Sequence, residues 1–426
     1  MKHTISNRAK RITYLLAMVY FASYLMRKNF SVMLAAISES GFDAVALGAV
    51  GSAMTIAYGG GQIINGILGD KFKPQNMLTV GLILATVSNF TMYFCTTIPL
   101  MTAIWFVNGF AHSMLWPPIV NLMAAYMNDV EYERAAIHVY GASSIATVVL
   151  YILSPVLLKV MDWRGVILCI AAVGVAISAL WLILSPGAFK KNCNTENNDD
   201  FSSSEPSPSR VGERVPLPAF VFLPTALIFV AIVLHGALRD GVSDWMPTFM
   251  QDAFGLDSGS AIITGILPAV FGMVSVYVFD ILHSKLFRNE VLCAAVIFVI
   301  AALSAAALLL INVFMISGWA CAAISAFLIG ILVACMHGIN LMLITIVPKR
   351  FIKSGRVSTF SGLLNMATYI GAAIALPLFP YLKDNFSWNA TIAVWAVISI
   401  IGIILCFAAT PMWKRFKKEY SDNSKA

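Results

Sequence analysis

The sequence predicts an all-α membrane protein with twelve transmembrane helices in two pseudo-symmetric six-helix bundles. Three observations carry that expectation. Of 426 residues, 59% are hydrophobic and only 12% are charged, at a mean hydropathy of +0.82, whereas a soluble domain carries about a quarter charged residues. Twelve stretches are apolar over about 20 residues, the length that crosses a bilayer as helix. One polar stretch, 186–216, PGAFKKNCNTENNDDFSSSEPSPSRVGERVP, divides them six and six. It is rich in Ser, Asn, Pro and charge, so it has too little apolar surface to build a core and is expected to be a disordered cytoplasmic linker.

The spans are expected, in order, at 12–37, 45–69, 76–95, 99–127, 134–158 and 163–185, then at 217–250, 258–282, 290–311, 314–347, 354–382 and 387–410. The domains follow as 1–185, the linker 186–216, 217–413 and a basic cytoplasmic tail 414–426. The first span, ITYLLAMVYFASYLMRKNFSVMLAAI, is too long for the apolar region of a signal peptide and has no small-residue cleavage site. The halves echo each other. Gly141, Pro155 and Trp163 in and after the fifth span parallel Gly362, Pro377 and Trp388 around the eleventh. Each tryptophan opens the next span, in DWRGVI and FSWNAT. Internal repetition of this kind is how many membrane carriers are built, with the cargo site at the midplane between repeats.

Basic residues set the orientation. With the N-terminus inside, 22 of the 28 lysines and arginines fall in cytoplasmic segments, and only Lys159, Arg164 and Lys383 fall outside. That asymmetry places both termini in the cytoplasm and puts the chain in the cell membrane. The net charge of +7 is therefore a topology signal and does not indicate nucleic-acid binding. Six of the seven cysteines lie in or at the ends of spans, Cys193 lies in the linker, and none has CxxC or metal-ligand spacing. Neither a metal nor a cofactor is expected, and no nucleophile–base pair points to an enzyme.

The remaining three cations, Arg27, Lys28 and Arg239, lie inside spans. A charge at that depth costs about 2.5–3.5 kcal/mol on insertion scales, so each must face something other than lipid. On the first span Tyr20, Tyr24, Arg27 and Ser31 are spaced 4, 3 and 4 apart and share one helical face. A guanidinium with nearby hydroxyls suits an oxyanion, which it binds through two parallel N–H donors. Lys28 points about 100° away, toward a neighbouring helix or the cavity edge. On the seventh span His235, Arg239 and Ser243 share a face, as do Asp240 and Asp244. Either aspartate is a candidate partner for Arg239 or Lys28 at rest, and His235 is a candidate proton carrier.

The turn GILGDKFKPQNML after the second span resembles the signature loop of the major facilitator superfamily. Gly66, Gly69, Asp70 and Lys71 match it; the later basic residue is displaced to Lys73. YLMRKNFSVML, AYGGGQIINGILGD, WFVNGFAHSMLWPP, LRDGVSDWMPTF, VPKR and the late FSW are similar to segments of the organophosphate:phosphate antiporters of that superfamily. They span nearly the whole chain apart from the linker. The resemblance implies the major facilitator fold, with Arg27 and Arg239 binding a substrate phosphate. Gln62 stands where phosphate-carrying members have a lysine, His112 where a glutamine is usual, and Asp240 where an uncharged residue is common; the histidine of the fifth span has no counterpart near Ser144 or Ile145. The site therefore loses cations and gains an acid.

The expected function is secondary transport of a small organic anion by alternating access around Arg27 and Arg239, by a monomer in the lipid bilayer. Family membership implies an organophosphate in exchange for inorganic phosphate. Two alternatives stand beside it. One is a proton-coupled carrier of a phosphonate or carboxylate, with Asp240, Asp244, His112 or His235 handling the proton; the other is a membrane receptor that binds a phosphorylated metabolite without moving it.

Overall fold

The computed structural model describes residues 6–69, 72–189, 217–314, 318–354 and 357–421, and its regular elements among these are all helical. In the first half they are α1 (Asn7–Val32) with α2 (Leu34–Glu39), α3 (Ala44–Gly69), α4 (Pro74–Met92), α5 (Ile98–Ser113) with α6 (Trp116–Tyr126), α7 (Asp129–Leu157) and α8 (Trp163–Ala188). In the second they are α9 (Phe222–Phe254), α10 (Ser258–Thr264) with α11 (Ile266–Lys285), α12 (Glu290–Val313), α13 (Trp319–Ile339), α14 (Val357–Asn385) and α15 (Trp388–Phe416). Each expected span thus corresponds to one helix or to two short helices in line. Ten of these units are long and apolar enough to cross a bilayer on composition alone; α1 and α4 are not among them. Both carry polar groups that the fold turns inward, such as Asn29 and Asn89, each fully buried.

Several boundaries differ from expectation. The first span is broken at Met33 and the fourth at Met114–Leu115. The seventh begins later, at Phe222, and runs on to Phe254, where Gly255 closes it in the left-handed conformation at φ 65°. The sixth runs to Ala188, and the last helix to Phe416, so the start of the expected basic tail is helical. Residues 190–216 of the expected linker lie outside the described residues, as do Asp70 and Lys71 of the expected latch. Gly66 and Gly69 occupy the final turns of α3.

Helix starts follow capping chemistry. Asn128 and Glu131 form a reciprocal capping box at α7, and Asp162 and Asn289 accept backbone N–H groups at the starts of α8 and α12. The internal echo has a structural counterpart. Trp163 opens α8 and donates from Nε1 to Ser40 Oγ (3.0 Å), at the end of the first unit of its half. Trp388 opens α15 and donates to Asp252 Oδ2 (3.0 Å), near the end of α9.

In the second half, α9 and α14 approach to backbone contact. A Cβ on Gly236 would lie 2.7 Å from Thr368 Cα, and one on Gly371 would lie 2.8 Å from the Ala237 nitrogen. This crossing fixes Arg239 on α9 relative to Tyr369 on α14. At one end of the same half, Glu290 is fully buried at the first turn of α12, where the helix dipole favours an anion. It accepts from Arg350 Nε (2.9 Å), Trp413 Nε1 (3.0 Å) and Lys417 Nζ (2.9 Å). Removing one side of a buried charge cluster leaves the rest uncompensated, at about 3–5 kcal/mol. Glu290→Ala is therefore expected to lower the melting temperature of the purified protein in detergent markedly, whereas Glu419→Ala, at an exposed ion pair with Arg415, is expected to leave it nearly unchanged.

Candidate functional site

A small, partly open cavity lies between the halves. From α1 it is lined by Arg27, Lys28 and Ser31; from α3 and α5 by residues including Thr55 and Trp105; and from the second half by Asp240, Asp244 and Tyr369. Residues 27, 28 and 31 fall within about one helical turn, and 240 and 244 are one turn apart, so two short helical stretches supply all the charged groups of the wall.

The stretch of α1 that carries the cations is held from behind by three fully buried asparagines. Asn29 Nδ2 donates to Asn89 Oδ1 (2.7 Å), and Asn89 and Asn108 both donate to the Met26 carbonyl (3.1 and 3.3 Å). In hydrocarbon such groups must find partners inside the protein. Here that need ties α1 to α4 and α5 immediately next to Arg27.

The charged groups are already partnered, with one exception. Arg239 donates to Asp240 through Nε and Nη2, both at 2.8 Å, a two-pronged pair between adjacent residues. Lys28 Nζ lies 3.4 Å from Asp244 Oδ1, and Ser31 Oγ donates to Asp244 Oδ2 at 3.0 Å, linking the halves. Arg27 has no carboxylate at ion-pair distance among the described residues. Its guanidinium carbon sits 3.9 Å from the centre of the Tyr58 ring and 5.7 Å from that of Tyr24, a cation–π arrangement. Tyr58 meets Tyr369 edge to face at 5.1 Å, and Arg239 lies 5.9 Å from the Tyr369 ring.

The structure thus brings Arg27, Lys28, Ser31, Asp240 and Asp244 to one cavity. It places Arg239 beside Asp240, and it is Asp240 that stands on the wall. Lys28 turns into the cavity despite its offset from Arg27. Tyr20 is buried against Trp116 at a ring distance of 5.0 Å, and Tyr24 packs edge-on against Tyr20. Gln62 accepts from Asn365 Nδ2 across the halves at 3.2 Å. His112 and His235 are buried away from the wall, and neither imidazole has a hydrogen-bond partner among the described residues. Ser243 Oγ donates to the Arg239 carbonyl at 2.5 Å.

Sequence reasoning missed Tyr58, Tyr369, Asn365 and the asparagine cluster. A signal existed: Tyr58 precedes Gln62 by one helical turn and Tyr369 follows Asn365 by one, and the two pairs meet along antiparallel α3 and α14. From there α3 and α14 continue in contact, Ser52 Oγ donating to the Ala373 carbonyl (2.6 Å) and Gly48 lying against Leu376 and Pro377. At the same end Gly265 of the α10–α11 turn packs on Tyr151 of α7, and Gln251 donates to Glu39. That end of the cavity is sealed.

Residues 16–360 match the family model described as the Major Facilitator Superfamily. The chain is 23% identical to the glycerol-3-phosphate transporter of Bacillus subtilis over 406 residues, which cover 90% of this chain and 88% of that one. It is 31% identical to a probable hexose phosphate transport protein of Chlamydia trachomatis over 157 residues, covering 36% of this chain and 34% of the relative. Among solved structures, the sulfate complex of the peptide transporter POT superposes with a TM-score of 0.75 at 14% identity, covering 96% of each chain.

Proposed function

The chain belongs to the Major Facilitator Superfamily, and from that premise we propose that it is a secondary carrier of a small organic anion, working by alternating access around Arg27 and Arg239. It is a multi-pass transporter of the cell membrane, not an enzyme. The relatives named as glycerol-3-phosphate and hexose phosphate transporters support an organophosphate as cargo; the counter-substrate in this proposal is inorganic phosphate. The observation that carries the proposal is the cavity between the halves, with Arg27 as a cation whose neighbours are aromatic rings and whose guanidinium has no acid at ion-pair distance among the described residues.

The mechanism follows from the pairings. Lys28 and Ser31 on one half hold Asp244 on the other, which stabilises the sealed arrangement when the cavity is empty. An anion arriving at Arg27 also attracts Lys28, competes with Asp244 for it, and so couples occupancy to the contact between halves. A ligand shifts such an equilibrium only by its differential affinity for the two arrangements, and the Lys28–Asp244 contact is where that difference arises. With the termini in the cytoplasm, the sealed end faces outward. One chain supplies both halves, so a monomer suffices.

Reconstituted in liposomes loaded with inorganic phosphate, the protein is expected to accumulate glycerol 3-phosphate or hexose 6-phosphate against a gradient, and not in liposomes without counter-substrate. Uptake driven by a pH gradient alone would replace exchange with proton coupling. Binding without flux would replace the carrier with a receptor.

A further inference from the structure

The cavity is unusual in how little positive charge it leaves free. Arg27, Lys28 and Arg239 are opposed by Asp240 and Asp244, so the charged groups at the site sum to a single positive charge. That charge is not spread evenly. Lys28 is spent on Asp244, and Arg239 has its side-on fork occupied by both oxygens of Asp240. Of the three, Arg27 has no acid at ion-pair distance among the described residues. Both carboxylates face the space an anion would enter, and Asp240 stands on the wall in front of the arginine it neutralises. An anion at Arg27 meets these fixed negative groups at close range in a site largely removed from water, where repulsion is weakly screened. A second charge on the cargo raises that repulsion, and the other two cations at the cavity, Lys28 and Arg239, are already paired.

We propose that Asp240 sets the charge of the cargo: by occupying Arg239 it restricts the cavity to anions carrying one negative charge, and excludes dianions. The inference rests on the reading of this cavity as the anion site. It assigns to Asp240 a role in specificity, acting through Arg239. For a phosphate ester the accepted form is the singly protonated one or a diester; a carboxylate or sulfonate meets the same rule outright. Removing the Asp240 charge frees the Arg239 fork for the ligand and brings the site to two positive charges, the arrangement a dianion needs.

Sulfate and methanesulfonate test this on the full-length protein in detergent or nanodiscs. They share a tetrahedral head, carry two and one negative charges, and keep those charges across the neutral pH range, so titration of Asp240 and its surroundings (Arg239, Lys28, Arg27, Asp244, with His235 of α9 and His337 of α13 nearby) does not alter the probe. By calorimetric titration or by shift in melting temperature, the wild type is expected to bind methanesulfonate at least tenfold more tightly than sulfate. Asp240→Asn is expected to erase or reverse that preference, and Asp240→Glu to keep it. Melting of the unliganded variants verifies folding. A wild type that binds sulfate as tightly as methanesulfonate, or an Asp240→Asn variant that folds and keeps the wild-type preference, overturns the proposal. If the wild type binds neither anion, or binds either one equally well after Arg27→Ala, the reading of the cavity itself falls. Dimethyl phosphate and lactate, both singly charged, then separate a phosphate-type headgroup from a carboxylate: whichever binds more tightly names the class, and the charge rule requires that each outbind its doubly charged counterpart, methyl phosphate above about pH 7 and malate.

Discussion

Arg27→Lys is expected to lower the initial rate of organic-anion uptake by about 100-fold or more in proteoliposomes, with little change in melting temperature. The lysine keeps the charge and loses the fork. A guanidinium offers paired, coplanar N–H donors to an oxyanion, and an ammonium offers a point charge on a flexible stem. Each hydrogen bond to a charged group contributes about 1.5–3 kcal/mol, so the loss of one well-placed donor pair, partly offset by the retained charge, comes to about 3 kcal/mol, or roughly 100-fold at 1.4 kcal/mol per decade. The contact with the Tyr58 ring, 3.9 Å from the guanidinium carbon, adds to the cost, because planar stacking is specific to arginine. Arg239→Lys is expected to be comparably damaging by a different route: it dissolves the two-pronged pair with Asp240 and leaves a carboxylate unmasked on the cavity wall. Initial rates for both variants decide the matter, and wild-type uptake by both would remove these arginines from the site.

Much of this architecture was legible in the sequence, because lipid is a demanding solvent. A bilayer selects helices of about 20 apolar residues and penalises every charge among them, so ten of the expected spans and the three intramembrane cations stand out, while α1 and α4 are more polar. The break at Met114–Leu115 is marked too, by Pro117 and Pro118 in the first turn of α6. The break at Met33 is not: Asn29, one turn before it, joins Asn89 and Asn108 in a network that exists only once three helices meet. Tyr58 and Tyr369 were hidden for the same reason. Aromatic residues are common in membrane helices, and these two acquire meaning only from the register of α3 against α14.

Arg239 illustrates the limit of spacing arguments. Adjacent residues on a helix do not share a face, so a bidentate bond from Arg239 to Asp240 is not what periodicity suggests, and the sequence left both aspartates open as partners for both cations. The long arginine side chain curls back to its neighbour because, inside the protein and away from water, an unpaired charge is costlier than the strain of a local turn. One consequence is an asymmetric site: two arginines occupy equivalent places in the two halves, yet one is open and the other is masked. The proposed site rests on both arginines, and the acid paired with one of them makes the two unlike.

Gly48→Leu is expected to abolish most transport, at least a tenfold loss of rate, while anion binding at Arg27 persists. Gly48 of α3 lies where a Cβ would approach the Leu376 carbonyl carbon at 2.7 Å and Pro377 Cα at 2.8 Å, and α3 and α14 belong to opposite halves. Backbone cannot yield as a side chain can, so the added leucine must push the helices apart at the sealed end. Overpacking a tight contact costs about 1–3 kcal/mol and occasionally more, and this cost falls only on the arrangement in which α3 and α14 touch. Each half still folds by its own contacts, and the cavity groups on α1 and α9 keep their local surroundings. The equilibrium between arrangements therefore moves away from the sealed one by roughly 10- to 100-fold, and a carrier that must visit both arrangements in every cycle slows accordingly. Gly60, on the same helix with nothing within 4 Å of its added Cβ, provides the control: Gly60→Leu adds the same bulk without the clash and should transport at near wild-type rates. Equal rates for the two variants would mean that the α3–α14 contact at Gly48 does not form part of the transport cycle.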